Sequence, residues 1–155
     1  MMLRYVEVAL SPYEVPGEQS ICIYISGCRN NCKGCHYPEL QCPENGDLLG
    51  NYFTAIIELY QKQATCVCFL GEGDGSCSAQ NELRLYTEQT HQLGLKTCLY
   101  SGRDVPLEEW MHCFDYVKLG SYKEELGPLD SQTTNQKLFK KTGSTYEDIT
   151  HIFRV

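Results

Sequence analysis

The run Ile21-Cys22-Ile23-Tyr24-Ile25, opened after Pro16-Gly17 and closed by Ser26-Gly27, decides how the fold is read. An isoleucine at every second position, a length of five and glycine at both borders describe a buried β-strand. Working back from it, Leu3 to Leu10 reads as a first strand, and Pro12, Pro16 and Gly17 mark the loop between them. Working forward, Cys28 to Gly46 is a long loop rich in Cys, Pro and Gly, and a loop of this length inside a compact domain is usually functional. Asp47 then caps a helix running to about Gln63, with Leu49, Phe53, Ile56, Ile57 and Tyr60 on one side. Thr65 to Leu70 is a strand, Gly71 to Gly75 a glycine-rich turn, and Ser78 or Asn81 opens a second helix that Gly94 ends. Leu95 to Tyr100 is a strand, Pro106 starts a third short helix through His112, and Phe114 to Leu119 is a strand. After Gly120 periodicity lapses until Ile149 to Phe153, read as a final strand. The alternation predicts an α/β fold with right-handed crossovers and a mostly parallel sheet. In such sheets ligands gather past the carboxyl ends of the strands, where Cys28, Gly71 and Ser101 all fall.

At 155 residues the chain is expected to form a single domain, residues 1–155. Thirteen Lys and Arg against twenty Asp and Glu give a net charge of −7, which disfavours a nucleic-acid partner. Tyr5 to Leu10 is too short and polar for a secretory core, and no apolar run reaches the roughly 20 residues that span a bilayer. A cytoplasmic protein without a membrane partner is expected. Ten cysteines in a reducing compartment then call for a reason other than disulfides.

That reason is sought in Gly27-Cys28-Arg29-Asn30-Asn31-Cys32-Lys33-Gly34-Cys35-His36. The spacing C-x3-C-x2-C lets three thiolates on one short loop each reach a different iron of a cubane, and Gly27 and Gly34 allow a close backbone approach. Full ligation takes four cysteines, so Cys28, Cys32 and Cys35 would leave one iron open, as a catalytic centre does. Zinc, with His36 or Cys42 as a fourth ligand, and a loop without any ligand are the alternatives. Cys22, Cys66, Cys68 and Cys98 lie in apolar strands and read as core thiols; Cys77 and Cys113 carry no assigned role. The turn Leu70-Gly71-Glu72-Gly73-Asp74-Gly75 offers a carboxylate and exposed carbonyls to an ammonium, or is an ordinary strand-to-helix turn.

The cysteine loop resembles that of the radical S-adenosylmethionine superfamily. With Ser26-Gly27-Cys28, Gly34-Cys35, Leu99-Tyr100-Ser101-Gly102, Gly120-Ser121-Tyr122 and Thr134-Asn135-Gln136, the chain is similar to activating proteins of anaerobic ribonucleotide reductases over roughly residues 20 to 140. It departs from them in having Glu14-Val15-Pro16-Gly17 near the start, Tyr37 after His36 and Leu119-Gly120 late, as a divergent member would. The resemblance implies a partial (β/α) barrel of radical S-adenosylmethionine type. It implies one 4Fe-4S cluster on Cys28, Cys32 and Cys35, and S-adenosylmethionine bound beside Gly34, Cys35, His36 and Gly71-Glu72-Gly73-Asp74, where Glu72 and Asp74 compete for the ammonium. It further implies an activase that makes a glycyl radical on the large subunit of a class III anaerobic ribonucleotide reductase, supplied with electrons by a flavodoxin or ferredoxin. Another radical enzyme with a different substrate, or a non-catalytic iron–sulfur or zinc protein, are the alternatives. No catalytic acid or base is assigned. Tyr122 to Gln136 is expected to contact the reductase.

Overall fold

The computed structural model describes residues 2–27, 42 and 44–154. Among the described residues eight strands form one sheet: β1 (Arg4–Ser11), β2 (Ser20–Ile25), β3 (Asp47–Leu48), β4 (Cys66–Leu70), β5 (Lys96–Tyr100), β6 (Tyr116–Leu119), β7 (Lys137–Thr142) and β8 (Thr145–Asp148). Their spatial order is β3-β1-β2-β4-β5-β6-β7-β8. Two α-helices, α1 (Leu49–Tyr60) and α2 (Cys77–Gln92), lie between β3 and β4 and between β4 and β5.

This corrects the expected mostly parallel partial barrel. Of the seven pairings only β2–β4, β4–β5 and β5–β6 are parallel, and the other four are antiparallel. The cause is connection length and content. A parallel return needs a crossover of about a dozen residues or more, usually helical. Residues 12–19 are too few between β1 and β2, residues 143–144 make a tight hairpin between β7 and β8, and residues 120–136 contain turns but no helix. The expected third helix at 106–112 is also absent; a 3-10 helix, Glu109–Cys113, takes its place. Ile149–Phe153, read as a strand, is not one: all but Ile149 falls in the 3-10 helix Thr150–Arg154.

Both helices pack on one face. Leu49, Phe53, Ile56 and Ile57 of α1 and Ala79, Leu83 and Tyr86 of α2 share one core with Ile21, Ile23, Ile25, Val67, Phe69, Leu99 and Val117. Phe53 stacks on Tyr86 with ring centroids 4.4 Å apart, and Phe69 lies 6.1 Å from Phe53. Ser76 caps α2 by accepting the Ala79 N–H at 3.2 Å, two residues before Ser78 and five before Asn81, the starts read from sequence.

Among the described residues no α-helix covers the opposite face, to which the 3-10 stretch Thr150–Arg154 brings Phe153. Side chains alternate along a strand, so in-register neighbours line up across it. Cys22, Cys68 and Cys98 form one row over β2, β4 and β5, and Tyr24, Leu70, Tyr100 and Lys118 form the next, at the carboxyl ends. Val15, Leu138 and Ile149 cover the cysteine row.

Glu82 joins α2 to the start of the chain. Its Oε1 accepts the N–H groups of Met2 (2.8 Å) and Leu3 (3.1 Å), its Oε2 the Tyr86 hydroxyl, and it is only 4% exposed. Replacement by alanine strands two buried donors and one part-buried donor. Urea denaturation of Glu82→Ala is expected to show a loss of about 3 kcal/mol, and Glu82→Gln about half of that. A loss under ~1 kcal/mol for Glu82→Ala would mean that water replaces the carboxylate.

Candidate functional site

The carboxyl ends of β2, β4, β5 and β6 bring together the loops that the sequence singles out. Gly27 follows β2 with φ +94°, and a Cβ there would meet the backbone of Gly73 at 3.5 Å. The start of the cysteine loop therefore rests on the glycine-rich turn after β4. Gly71, φ +123°, passes within 3.0 Å of the Ile25 carbonyl measured from an added Cβ, so the two segments approach more closely than side chains would allow.

The two feet of the loop are tied. The Ser26 hydroxyl lies 2.9 Å from the Asn45 carbonyl and 3.2 Å from that of Arg4, and the Arg4 guanidinium donates to the Gly46 carbonyl at 3.0 Å. Ser26 and Asn45, which flank this stretch of the sequence, thus lie together beside β1. Cys28, Cys32, Cys35, Gly34 and His36 lie outside the described residues. Cys42 is exposed.

Glu72 and Asp74 have different environments. Asp74 accepts the Ser76 N–H at 3.0 Å and thereby shapes the start of α2. Glu72 is 7% exposed and sits at the rim. It accepts the Ser101 hydroxyl and two N–H groups of Arg103, from Nε at 3.1 Å and from Nη2 at 2.8 Å. Arg103 in turn donates to Glu108 from Nη1 (3.1 Å) and Nη2 (2.5 Å), and the Trp110 indole donates to Glu108 at 2.9 Å. The bond from Arg103 holds the Glu108 carboxyl below its usual range, and the guanidinium is held protonated by Glu108 and Glu72. Two carboxylates against one guanidinium leave one negative charge at this rim. A ligand ammonium is the group that would neutralise it.

The pairing of Arg103 with Glu72, 31 residues away, has no local signal in the sequence. Sequence reading missed Glu108, and it missed Lys118 despite a visible signal, a lysine inside the apolar run Phe114 to Leu119. Lys118 is 7% exposed, with Nζ 5.3 Å from the centre of the Tyr100 ring.

The remaining strand cysteines are where the sequence puts them: Cys22, Cys66, Cys68 and Cys98 are fully buried. A hydrogen bond with Cys68, together with burial, holds the Cys22 thiol far above its ordinary pKa, and burial raises the other three. They are neutral thiols, poor ligands and poor nucleophiles. No group of three or more His, Cys, Asp or Glu suited to a metal occurs among the described residues.

The site fits the amino-acid end of S-adenosylmethionine in two respects: glycines keep the turn free of side chains, and the acidic network has one charge to spare. In sequence the C-x3-C-x2-C motif begins directly after Gly27. No helix among the described residues is long and apolar enough to cross a membrane. No family model, curated protein or solved structure matches the chain.

Proposed function

We propose that the chain is a radical S-adenosylmethionine activase, and that its target is a glycine of a large anaerobic ribonucleotide reductase subunit. The observation that carries this reading is the seating of Gly27, the residue before the three-cysteine motif, against Gly73 of the acidic turn. Gly27, after which the three-cysteine motif begins, lies beside a turn with the chemistry to hold an ammonium, at the carboxyl ends of parallel strands, where α/β sheets bind ligands, and this supports the reading. When bound, a reduced 4Fe-4S cluster supplies the one electron that splits S-adenosylmethionine into methionine and a 5′-deoxyadenosyl radical.

The residues of the chain supply the rest. Cys28, Cys32 and Cys35 would hold three irons. Glu72 would take the methionyl ammonium, oriented by the Ser101 hydroxyl and by Arg103, which is itself braced on Glu108. Asp74 is better placed to shape the turn than to bind, since it accepts the Ser76 N–H. The reductase and an electron donor of flavodoxin or ferredoxin type are proposed partners, in a cytoplasmic setting.

Anaerobic reconstitution with iron and sulfide, then reduction with S-adenosylmethionine present, is expected to yield 5′-deoxyadenosine. Iron uptake without this product would leave an electron carrier, and zinc uptake without iron a structural site. Glu72→Gln is expected to weaken S-adenosylmethionine binding roughly 10- to 150-fold, the scale of a charge-assisted hydrogen bond, with iron content unchanged. Unchanged affinity would make the Glu72–Arg103 pair purely structural.

A further inference from the structure

Arg103 is bound by two carboxylates at once, through different edges of its guanidinium. Toward Glu72 it presents its side, with Nε at 3.1 Å and Nη2 at 2.8 Å. Toward Glu108 it presents its end, with Nη1 at 3.1 Å and Nη2 at 2.5 Å. Each contact is a two-bond fork, the geometry in which a guanidinium recognises a carboxylate. Glu108 stands five residues further along the same loop, whereas Glu72 belongs to the turn after β4, 31 residues away. One fork is therefore internal to a loop, and the other joins two loops.

Glu72 is crowded by this arrangement. Its oxygens accept two donors from Arg103 and one from Ser101, out of the roughly four that an ionised carboxylate can take. A ligand ammonium would bring further donors and would meet a guanidinium of its own sign on the same carboxylate. Releasing Glu72 leaves Arg103 with a complete fork on Glu108, which the Trp110 indole holds from the other side at 2.9 Å. The backbone of Arg103 is fixed, since its N–H donates to the Ser101 hydroxyl at 3.3 Å and its carbonyl accepts the Gly120 N–H at 2.9 Å. Its side chain is 32% exposed while Glu72 is buried, so the guanidinium has room to turn and the carboxylate stays in place. After such a turn two carboxylates face two cations in separate pairs.

We propose that Arg103 is a placeholder on Glu72, and that Glu108 is the positioning residue that draws it away when the ligand's ammonium arrives; this rests on the S-adenosylmethionine reading above. Arg103 keeps the buried Glu72 carboxylate paired and oriented before the ligand binds. Glu108 then holds the displaced guanidinium, so the affinity for the ammonium depends on a residue that does not touch the ligand.

The test compares S-adenosylmethionine with its deaminated analogue, which keeps the sulfonium and the carboxylate and lacks only the amino group. Equilibrium dialysis on the anaerobically reconstituted protein gives both dissociation constants without turnover. The wild type is expected to prefer the ligand with the amino group at least about tenfold, the scale of one charge-assisted hydrogen bond. Glu108→Gln keeps the shape and removes the charge. It should weaken S-adenosylmethionine binding about tenfold and leave the deaminated analogue within about twofold of the wild type. Arg103→Met should bind S-adenosylmethionine at least as tightly as the wild type, and adding Glu108→Gln to it should change nothing, because the two residues act as one unit. Equal weakening of both ligands by Glu108→Gln, or an effect that persists without Arg103, would make Glu108 a structural residue and overturn the proposal. Weaker binding of S-adenosylmethionine by Arg103→Met overturns it too, since the loss of a placeholder does not harm the ligand. If Arg103→Met does not fold, the comparison of the two ligands on Glu108→Gln decides alone. A wild type that binds neither ligand, or both equally, removes the reading of Glu72 as the ammonium site and this proposal with it. A wild type that prefers the amino group beside an unaltered Glu108→Gln leaves that reading and removes only the proposal.

Discussion

Alanine at Cys28, Cys32 or Cys35 is expected to take the iron content of the reconstituted protein from about four per chain to near zero, and 5′-deoxyadenosine formation with it. The effect is total because three ligands are already one short of full coordination, and a cluster held by two has half its irons open to solvent and oxidant. The contrast is provided by Cys22, Cys66, Cys68 and Cys98. They are fully buried neutral thiols, so alanine there should keep about four irons and cost roughly 1–2 kcal/mol of stability each, as lost packing. Cys42, exposed at the far foot of the loop, should be silent in iron content. Iron and sulfide assays with urea denaturation distinguish the two groups. A full cluster surviving any of the three loop substitutions, or loss of about four irons from the strand group, would sink the assignment.

Replacing residues 123–133 with a short Gly-Ser linker is expected to abolish glycyl-radical formation on the reductase, at least about 100-fold by electron paramagnetic resonance, while uncoupled S-adenosylmethionine cleavage stays within about twofold. The segment is built so that this surgery is local. Its feet are fixed to the core: Asp104 accepts the Ser121 N–H (2.9 Å), the Ser121 hydroxyl (2.7 Å) and an Asn135 amide N–H (3.0 Å), and Gln136 donates to the Gly120 carbonyl at 3.4 Å. Its middle is closed on itself, with the Ser131 and Thr133 hydroxyls donating to the Leu126 carbonyl at 2.9 and 2.6 Å. A cleft of about 570 Å³ runs beside it, with Val105, Pro106, Leu107, Leu119 and Phe139 on its walls and Lys123 at its edge. A radical that reacts with whatever touches it must be delivered directly to its target, so the target needs a docking surface near the rim. Equal loss of both activities would instead make the segment part of the core, and an undiminished radical signal would mean that the reductase docks elsewhere.

The central strands were legible because they are apolar on both sides. Ile21, Ile23 and Ile25 face the helices, Cys22 and Tyr24 the other side, so the run reads as buried whatever surrounds it. The edges were not legible for the same reason reversed. In β7 and β8 the residues Lys137, Lys140, Thr142, Thr145, Glu147 and Asp148 are exposed, which leaves only Leu138 well buried and no alternation strong enough to notice. The third helix was misread because Pro106, Leu107, Trp110 and Met111 look helical, yet β6 begins at Tyr116 and leaves room only for a 3-10 stretch. The sheet's mixed character could have been anticipated from the eight residues between β1 and β2. In the candidate site the cysteine spacing and the glycine turn are local patterns and were visible. The Arg103 bridge between Glu72 and Glu108 is partly a long-range contact, and only the fold brings β4 and β5 side by side to make it.

The Glu82 clamp imposes an order on synthesis. A nascent chain emerges amino terminus first, at about 5–20 residues per second. Met2 and Leu3 must wait for a carboxylate 80 and 79 positions downstream. The Glu18 carboxylate must wait for a tyrosine 98 positions downstream. For roughly 4 to 16 seconds of translation the first strand can pair with β2, but its leading edge has no acceptor for those two amides. The edge closes only when α2 has left the ribosome. The carboxylate thus acts as a late latch, making completion of the helical layer a condition for sealing the start of the sheet.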